Sequence, residues 1–467
     1  MAAQRRVVGV ETEYALVGRR ADGERAPRLS GGEAAQRLFA PIEREYASSN
    51  VFLRNGGRLY LDVGSHPEYA TPECASLADL LVHERAGDEL AVRLAARAEA
   101  DAAAADQPVQ LRLFKNNVDA HGNSYGCHEN YSIDRSRDLP ALAAALTPFL
   151  VTRQVLCGSG RWTPSGFAVS QRAEVLHDEL SSMTTRTRPL INTRDEPLAD
   201  PSRFRRLHVI SGDSNLSEPS AALKVGTLLA VLTSIEAAGQ GGPRVPDLEL
   251  ADVAGALRAV SHDPRAVVTL ASGRTMGALD IQAAYLALVA GDPISAQWAR
   301  VLAALQSGAD ESLEGEVEWA TKRALLRRYA DSRGLASDDR RLAQVDLAFH
   351  DLTSAGDGTP RGLFRLLEAR GAAVRLTDPI AVEAALQVPP SDTRAALRGR
   401  LIQAAQVEQR RYSVDWMQFT AHDLPDPSGG RADRTVQLGD PLAAADEAVE
   451  AMLSRLSASW VAPRQRT

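Results

Sequence analysis

Arg58-Leu59-Tyr60-Leu61-Asp62, set within the longer run NGGRLYLDVGSHPEYAT from Asn55 to Thr71, is the stretch on which the fold turns. Alternate side chains of a strand face opposite ways, so Arg58, Tyr60 and Asp62 share one face while Leu59 and Leu61 share the other. One side of such a strand belongs to a core and the other is polar enough to carry a site. The same reading applies to Val7 to Leu16, predicted as a first strand. There Glu11 and Glu13, two residues apart, occupy one face with Val10 and Thr12 opposite. If the two strands are neighbours, several carboxylates meet on one sheet surface.

The segments between and after them alternate in period. A polar loop is predicted from Gly18 to Ser30 and a helix from Gly32 to about Tyr46, followed by a strand over Val51 to Val63. An Ala-rich helix from Asp79 to about Ala105 precedes strands near Val109 to Asn116 and Cys127 to Ile133. Apolar residues at Leu313, Val317, Ala320 and Ala324 recur at intervals of three and four, predicting amphipathic helix over Glu311 to Tyr329. The sheet is therefore expected in the first half and helices in the middle. Paired prolines at Pro389 and Pro390 stop a helix, and Ser391 or Asp392 can cap the next, giving a domain of residues 1–390 and a smaller one of residues 391–467. The small domain is read as helix (Thr393 to Gln409), strand (Tyr412 to Phe419), strand (Thr435 to Leu438) and helix (Leu442 to Ser459).

Bulk properties exclude several classes. Among 467 residues, 44% are hydrophobic and 24% charged, which is ordinary globular usage. The net charge of -7 offers no general attraction to nucleic acid or anionic membrane, and neither is expected as a partner. Cys74, Cys127 and Cys157 are odd in number and widely spaced, which argues against a disulfide framework and for a reducing, cytoplasmic setting. The N-terminal run MAAQRRVVGVETEYALV is interrupted by Glu11 and Glu13 and does not read as a signal peptide. Ala221 to Ala238 carries Lys224, Gly226 and Glu236 and reads as a buried helix rather than a membrane span.

Crowded carboxylates repel unless protonated or bridged by cations, and hard oxygen ligands suit Mg²⁺. Glu11, Glu13, Glu68 and Glu129 are the candidate ligands on this ground. His128 and His208 rank below them, because a lone histidine is more often structural. Arg186, Arg188, Arg194, Arg203, Arg205 and Arg206 form a basic stretch suited to phosphate or carboxylate recognition. There is no GxxxxGK[ST] loop, and Gly158-Ser159-Gly160 lacks the third glycine of a dinucleotide fingerprint. Any nucleotide must then sit on the sheet face itself. Ser261-His262-Asp263 holds three triad residue types, but consecutive side chains cannot converge in triad geometry.

The blocks GVETEY (Gly9 to Tyr14), Asn55 to Thr71, SYGCHENY (Ser124 to Tyr131), Ile191 to Pro197, RRLHVISGDSNLSE (Arg205 to Glu218) and Val414-Asp415-Trp416 resemble, in order, those of the Pup ligase and Pup deamidase/depupylase family. The resemblance spans nearly the whole chain. It implies an α+β, glutamine-synthetase-like fold: a curved, mostly antiparallel sheet packed with helices, cradling ATP and Mg²⁺, plus a small C-terminal α/β domain. Matched position by position, it implies Glu11, Tyr60 and Glu68 as magnesium ligands, Arg58, Thr71 and Trp416 as ATP-binding residues, and Asp62 as the catalytic aspartate. The implied partners are a Pup-like modifier and lysine-bearing target proteins, linked to the bacterial proteasome. Two positions depart from the pattern: Ala15, where glycine is usual after Tyr14, and Leu198, where histidine usually follows Arg-Asp-Glu-Pro. The family's depupylases carry a long insertion between the first strand and the aspartate-bearing strand. Here a short loop and one helix join Tyr14 to Ser49, which favours the ligase over a depupylase/deamidase or a small-molecule glutamate-amine ligase.

Overall fold

In the computed structural model, residues 5–21, 27–62, 64–119, 122–182, 188–238, 244–425 and 430–457 are described. The chain opens with strands β1 (Val8–Glu13) and β2 (Ala15–Arg20), helix α1 (Gly31–Tyr46), and strands β3 (Val51–Phe52), β4 (Arg58–Asp62) and β5 (His66–Ala70). Helix α2 (Leu77–Ala104), strands β6 (Val109–Phe114) and β7 (Cys127–Asp134) and helix α3 (Leu139–Cys157) follow. Next come the hairpin β8 (Arg161–Thr163) and β9 (Gly166–Ala168), then β10 (Asp178–Ser181), β11 (Pro189–Asn192), β12 (Phe204–Val209) and helix α4 (Glu218–Ala238).

Eight strands form the main sheet in the order β10-β11-β12-β7-β1-β5-β4-β3. Only the β10–β11 junction is parallel, so the class is α+β with a mostly antiparallel sheet. Burial alternates along its strands. In β7, Cys127, Glu129, Tyr131 and Ile133 are buried while His128, Asn130 and Ser132 are partly open. Val8, Val10, Leu207 and Val209 join them on the covered face, against α3 and α4. Both helices are long and apolar enough to cross a bilayer, yet 72% of one such window and 67% of the other are buried inside the protein. They are core helices here, as expected for Ala221 to Ala238.

Several local expectations need correction. The strand read over Val51 to Val63 is two antiparallel strands, β3 and β4, because the chain turns back at Gly56, φ 80°. The first predicted strand breaks at Tyr14, and the chain that was read as loop from Gly18 continues as β2, pairing with β6 through Arg20↔Val109. Helix does not begin at Glu311: a short 3₁₀ turn at Asp310–Leu313 gives way to Gly315 at φ 82°, a left-handed conformation that interrupts the helix, and α-helix starts at Glu318. Apolar period alone does not register such a break. At the C-terminal end, Thr393 rather than Ser391 or Asp392 is the N-cap, its side chain accepting from the Ala395 N–H of helix Arg394–Val407.

That helix, strands Tyr412–Val414, Gln418–Pro425 and Arg431–Gln437, and helix Glu447–Ser457 build a separate apolar cluster around Leu397, Leu401, Phe419, Val436, Val449 and Leu456. Phe52 of β3 inserts into it. The C-terminal segment is thereby seated on the edge of the main sheet.

Candidate active site on the polar face of the sheet

Register brings the polar residues together. Glu13 pairs with Glu68 and Glu11 with Ala70 across β1–β5, Tyr60 pairs with Glu68 and Asp62 with His66 across β4–β5, and Glu11 pairs with His128 across β1–β7. Directly opposed residues in an antiparallel pair point to the same side. Arg58, Tyr60 and Asp62 therefore stand on the same open face as Glu11, Glu13 and Glu68.

Two groups of metal-ligating atoms result. Carboxylate oxygens of Glu13, Asp62 and Glu68 lie within 4.8 Å of one another, and so do ligand atoms of Glu11, His128 and His208. Gly126 lies against both groups: a Cβ there would stand 2.7 Å from Oε1 of Glu13 and 2.4 Å from Nε2 of His128. Tyr60 donates its hydroxyl to Glu68 Oε1 at 2.5 Å. Burial, then the charges of Glu11 and Glu13, push the Glu68 carboxyl well above the usual carboxylate range. Burial also raises the Tyr60 phenol, so it stays protonated and fixes the Glu68 oxygen it touches. This repulsion is what a dication would relieve, and an all-oxygen donor set of this kind fits Mg²⁺.

The second group differs. Glu11 accepts from Asn130 Nδ2 at 3.2 Å and lies 3.1 Å from His128 Nδ1. Burial works to raise its pKa, but the hydrogen bond and charge of His128, with His208 and Arg206, hold it at about 2. His208 is 6% exposed, and neither ring nitrogen has a hydrogen-bond partner. Burial, then the neighbouring His128, push it down to about 3, leaving a neutral imidazole able to ligate. The two rings meet edge to face at 5.2 Å. Strands β7 and β12 converge both histidines on Glu11, a pairing that no local spacing announces.

Glu129 is the clear correction among the candidate ligands. It points into the core, fully buried, where Arg153 donates to both its oxygens at 2.9 and 2.7 Å and Tyr131 donates at 2.6 Å. It cannot share a metal with Glu11 on the opposite face. Of the basic stretch, Arg186 lies outside the described residues. Arg188 donates to the Ser124 carbonyl, Arg194 pairs with Glu196, Arg203 with Asp440, and Arg205 reaches the Arg137 carbonyl. Among the described members, Arg206 is the one that turns toward the site, donating to Asn130 Oδ1 at 3.3 Å and pairing with Glu196 at 3.2 Å.

Beside Glu11 opens a cleft walled mainly by apolar groups and including Thr71, Arg206, Leu198 and Trp416. Thr71 accepts the Val10 N–H at 3.0 Å, leaving its own O–H to donate. The Arg58 guanidinium lies 4.3 Å from the Tyr60 ring centre and 5.7 Å from that of Phe52, whose ring meets Trp416 at 4.9 Å. Leu198, one of the two departures, takes a left-handed φ of 50° and gives its carbonyl to Arg394.

With this geometry the family question has a sharp answer, because the family model described as Pup-ligase protein matches residues 6–420. The chain belongs to the Pup-ligase family. Relatives named Pup–protein ligase run the length of the chain. That of Sanguibacter keddieii is 44% identical over 470 residues, covering 97% of this chain and 99% of its own. That of Kribbella flavida is 45% identical over 472 residues, covering 97% and 100%. The crystal structure of the complex between the prokaryotic ubiquitin-like protein Pup and its ligase PafA matches with a TM-score of 0.87 at 42% identity, over 97% of this chain and 91% of that one. The Pup ligase PafA in complex with ADP matches at 0.79 and 42% identity, over 92% and 94%.

Proposed function

We propose that this protein is an ATP- and Mg²⁺-dependent Pup–protein ligase, joining the side-chain carboxylate of a C-terminal glutamate on the modifier to lysines of target proteins and so marking them for a bacterial proteasome. The observation that carries the reading is the convergence of Glu13, Asp62 and Glu68 beside a cleft walled by Glu11, Thr71 and Trp416. Full-length relatives named as ligases, together with structures of the Pup ligase PafA in complex with Pup and with ADP, support it.

In this reading Glu11, Tyr60 and Glu68 hold the magnesium site, with Glu13, His128 and His208 adjoining. Bound there, the metal would neutralise charge growing on the phosphoryl oxygens. Thr71 and Trp416 seat the nucleotide, and Arg58, stacked on Tyr60, would balance charge on the transferring phosphoryl group. The modifier's carboxylate attacks the γ-phosphorus and ADP leaves, giving an acyl phosphate. The lysine nitrogen then attacks the acyl carbon and phosphate leaves. A lysine of ordinary pKa, about 10.4, must lose a proton to do so. Asp62, more exposed than Glu13 and Glu68, is placed at the strand end where an incoming lysine could reach its carboxylate.

Residues 391–467 act in this reading as a small domain that brings Trp416 to the cleft. The basic stretch ending at Arg206 helps receive an acidic modifier, and the setting is cytoplasmic. The test is a mixture of the protein, Mg-ATP, a Pup-like modifier ending in glutamate and a lysine-bearing target. A conjugate one water lighter than its parts, with stoichiometric ADP, supports the ligase; release of modifier from a preformed conjugate without ligation would move the assignment to the depupylase.

A further inference from the structure

Arg398 and Glu73 lie 325 positions apart in the chain and form a buried ion pair at the back of the nucleotide cleft. Arg398 is wholly buried, and its N–H groups are all directed. They reach both oxygens of Glu73, the Gly56 carbonyl at 2.7 and 3.2 Å, and the Trp416 carbonyl at 3.4 Å. The guanidinium also faces two rings, 4.9 Å from the centre of Trp416 and 5.3 Å from that of Phe52. One helical turn earlier on the same face, Arg394 donates to Glu73 at 2.7 Å, to the Leu438 carbonyl at 2.7 Å, and to the Leu198 carbonyl.

Such a network is a poor way to gain stability, because the desolvation of three buried charges cancels much of their attraction. Its geometry is better spent on placement. Glu73, Leu198, Arg394 and Trp416 all line the cleft, and this network ties the Trp416 backbone to Glu73, three residues past the end of β5. From Trp416 the packing runs on through Phe52 to Arg58 and Tyr60. We propose that Arg398, fixed by Glu73, is a positioning residue that holds the Trp416 ring against the nucleotide and aligns it with Arg58. The proposal rests on the nucleotide reading of the cleft. Burial opposes the ionised Glu73, but the charges of Arg398 and Arg394 hold it at about 2, so the pair stays charged at working pH. A lysine at 398 cannot reproduce the planar fork that reaches Glu73, Gly56 and Trp416 together.

The experiment compares wild type, Arg398→Lys and Arg398→Met in ADP affinity, in the KM for ATP and kcat of ligation, and in melting temperature. Arg398→Met leaves Glu73 paired with Arg394, so no buried charge stands alone, and keeps the test open if Arg398→Lys does not fold. The expected result is a rise of about tenfold in both the ADP Kd and the ATP KM, with kcat at saturating ATP within about twofold of wild type. Folded variants with lowered melting temperature but unchanged ADP Kd and ATP KM would overturn the positioning role and leave the nucleotide reading intact. A wild type that binds no ADP would overturn both.

Discussion

Glu13 and Glu68 are direct cross-strand partners on the open face of the sheet, their carboxylates crowded together with that of Asp62. Opposed like charges destabilise a sheet pair, so this register is costly unless something positive is shared between them. Around that pairing the site acquires its other members, and the following outcomes are expected.

Glu129→Gln separates ligand from core carboxylate. The substitution leaves Arg153 buried without its bidentate partner, and the expected loss is about 3–5 kcal/mol of unfolding free energy. Denaturant melts with and without Mg²⁺ check it. An unchanged midpoint, or a loss seen only with metal present, would return Glu129 to the metal site.

His208→Ala has the opposite signature. Its ring nitrogens satisfy no partner within the protein, so the fold loses packing but no hydrogen bond. Affinity for Mn²⁺, used as a spectroscopic stand-in and followed by EPR titration, is expected to weaken by at least about tenfold. Equal Mn²⁺ affinity in both proteins would show that His128 and Glu11 do not need it.

Much of the open face is legible in the strand period: Glu11 with Glu13, and Arg58 with Tyr60 and Asp62. Glu129 could have been placed as well, since it alternates in register with Cys127, Tyr131 and Ile133, three residues that belong in a core; its charge drew attention away from its parity. His128 and His208 are a different matter. They meet because β7 lies between β12 and β1, and strand order across eighty residues is a tertiary fact that local pattern does not encode. The same holds for Glu73 and Arg398. Leu313 and Val317 kept a helical spacing where Gly315 breaks the helix, a case of backbone conformation overriding apolar period.

Glu318 supplies a pH dependence away from the candidate metal site. Burial pushes it from 4.5 to about 7, although it accepts the N–H groups of Leu216 and Ser217. Between those values the folded protein binds a proton that the unfolded chain has released, so its contribution is full below about 4.5 and is lost as pH rises through about 7. Melting temperature measured across that window should fall more in wild type than in Glu318→Gln. Parallel curves would contradict the assignment.

In the proposed function one polar sheet face performs both phosphoryl transfer and amide formation, with Asp62 serving the second step. The decisive measurement gives Asp62→Asn Mg-ATP and modifier with either hydroxylamine or a lysine-bearing target. ADP and a modifier hydroxamate are expected still to form, while conjugation to protein lysine falls by about 10²–10⁴-fold. Conjugation near the wild-type rate would contradict it.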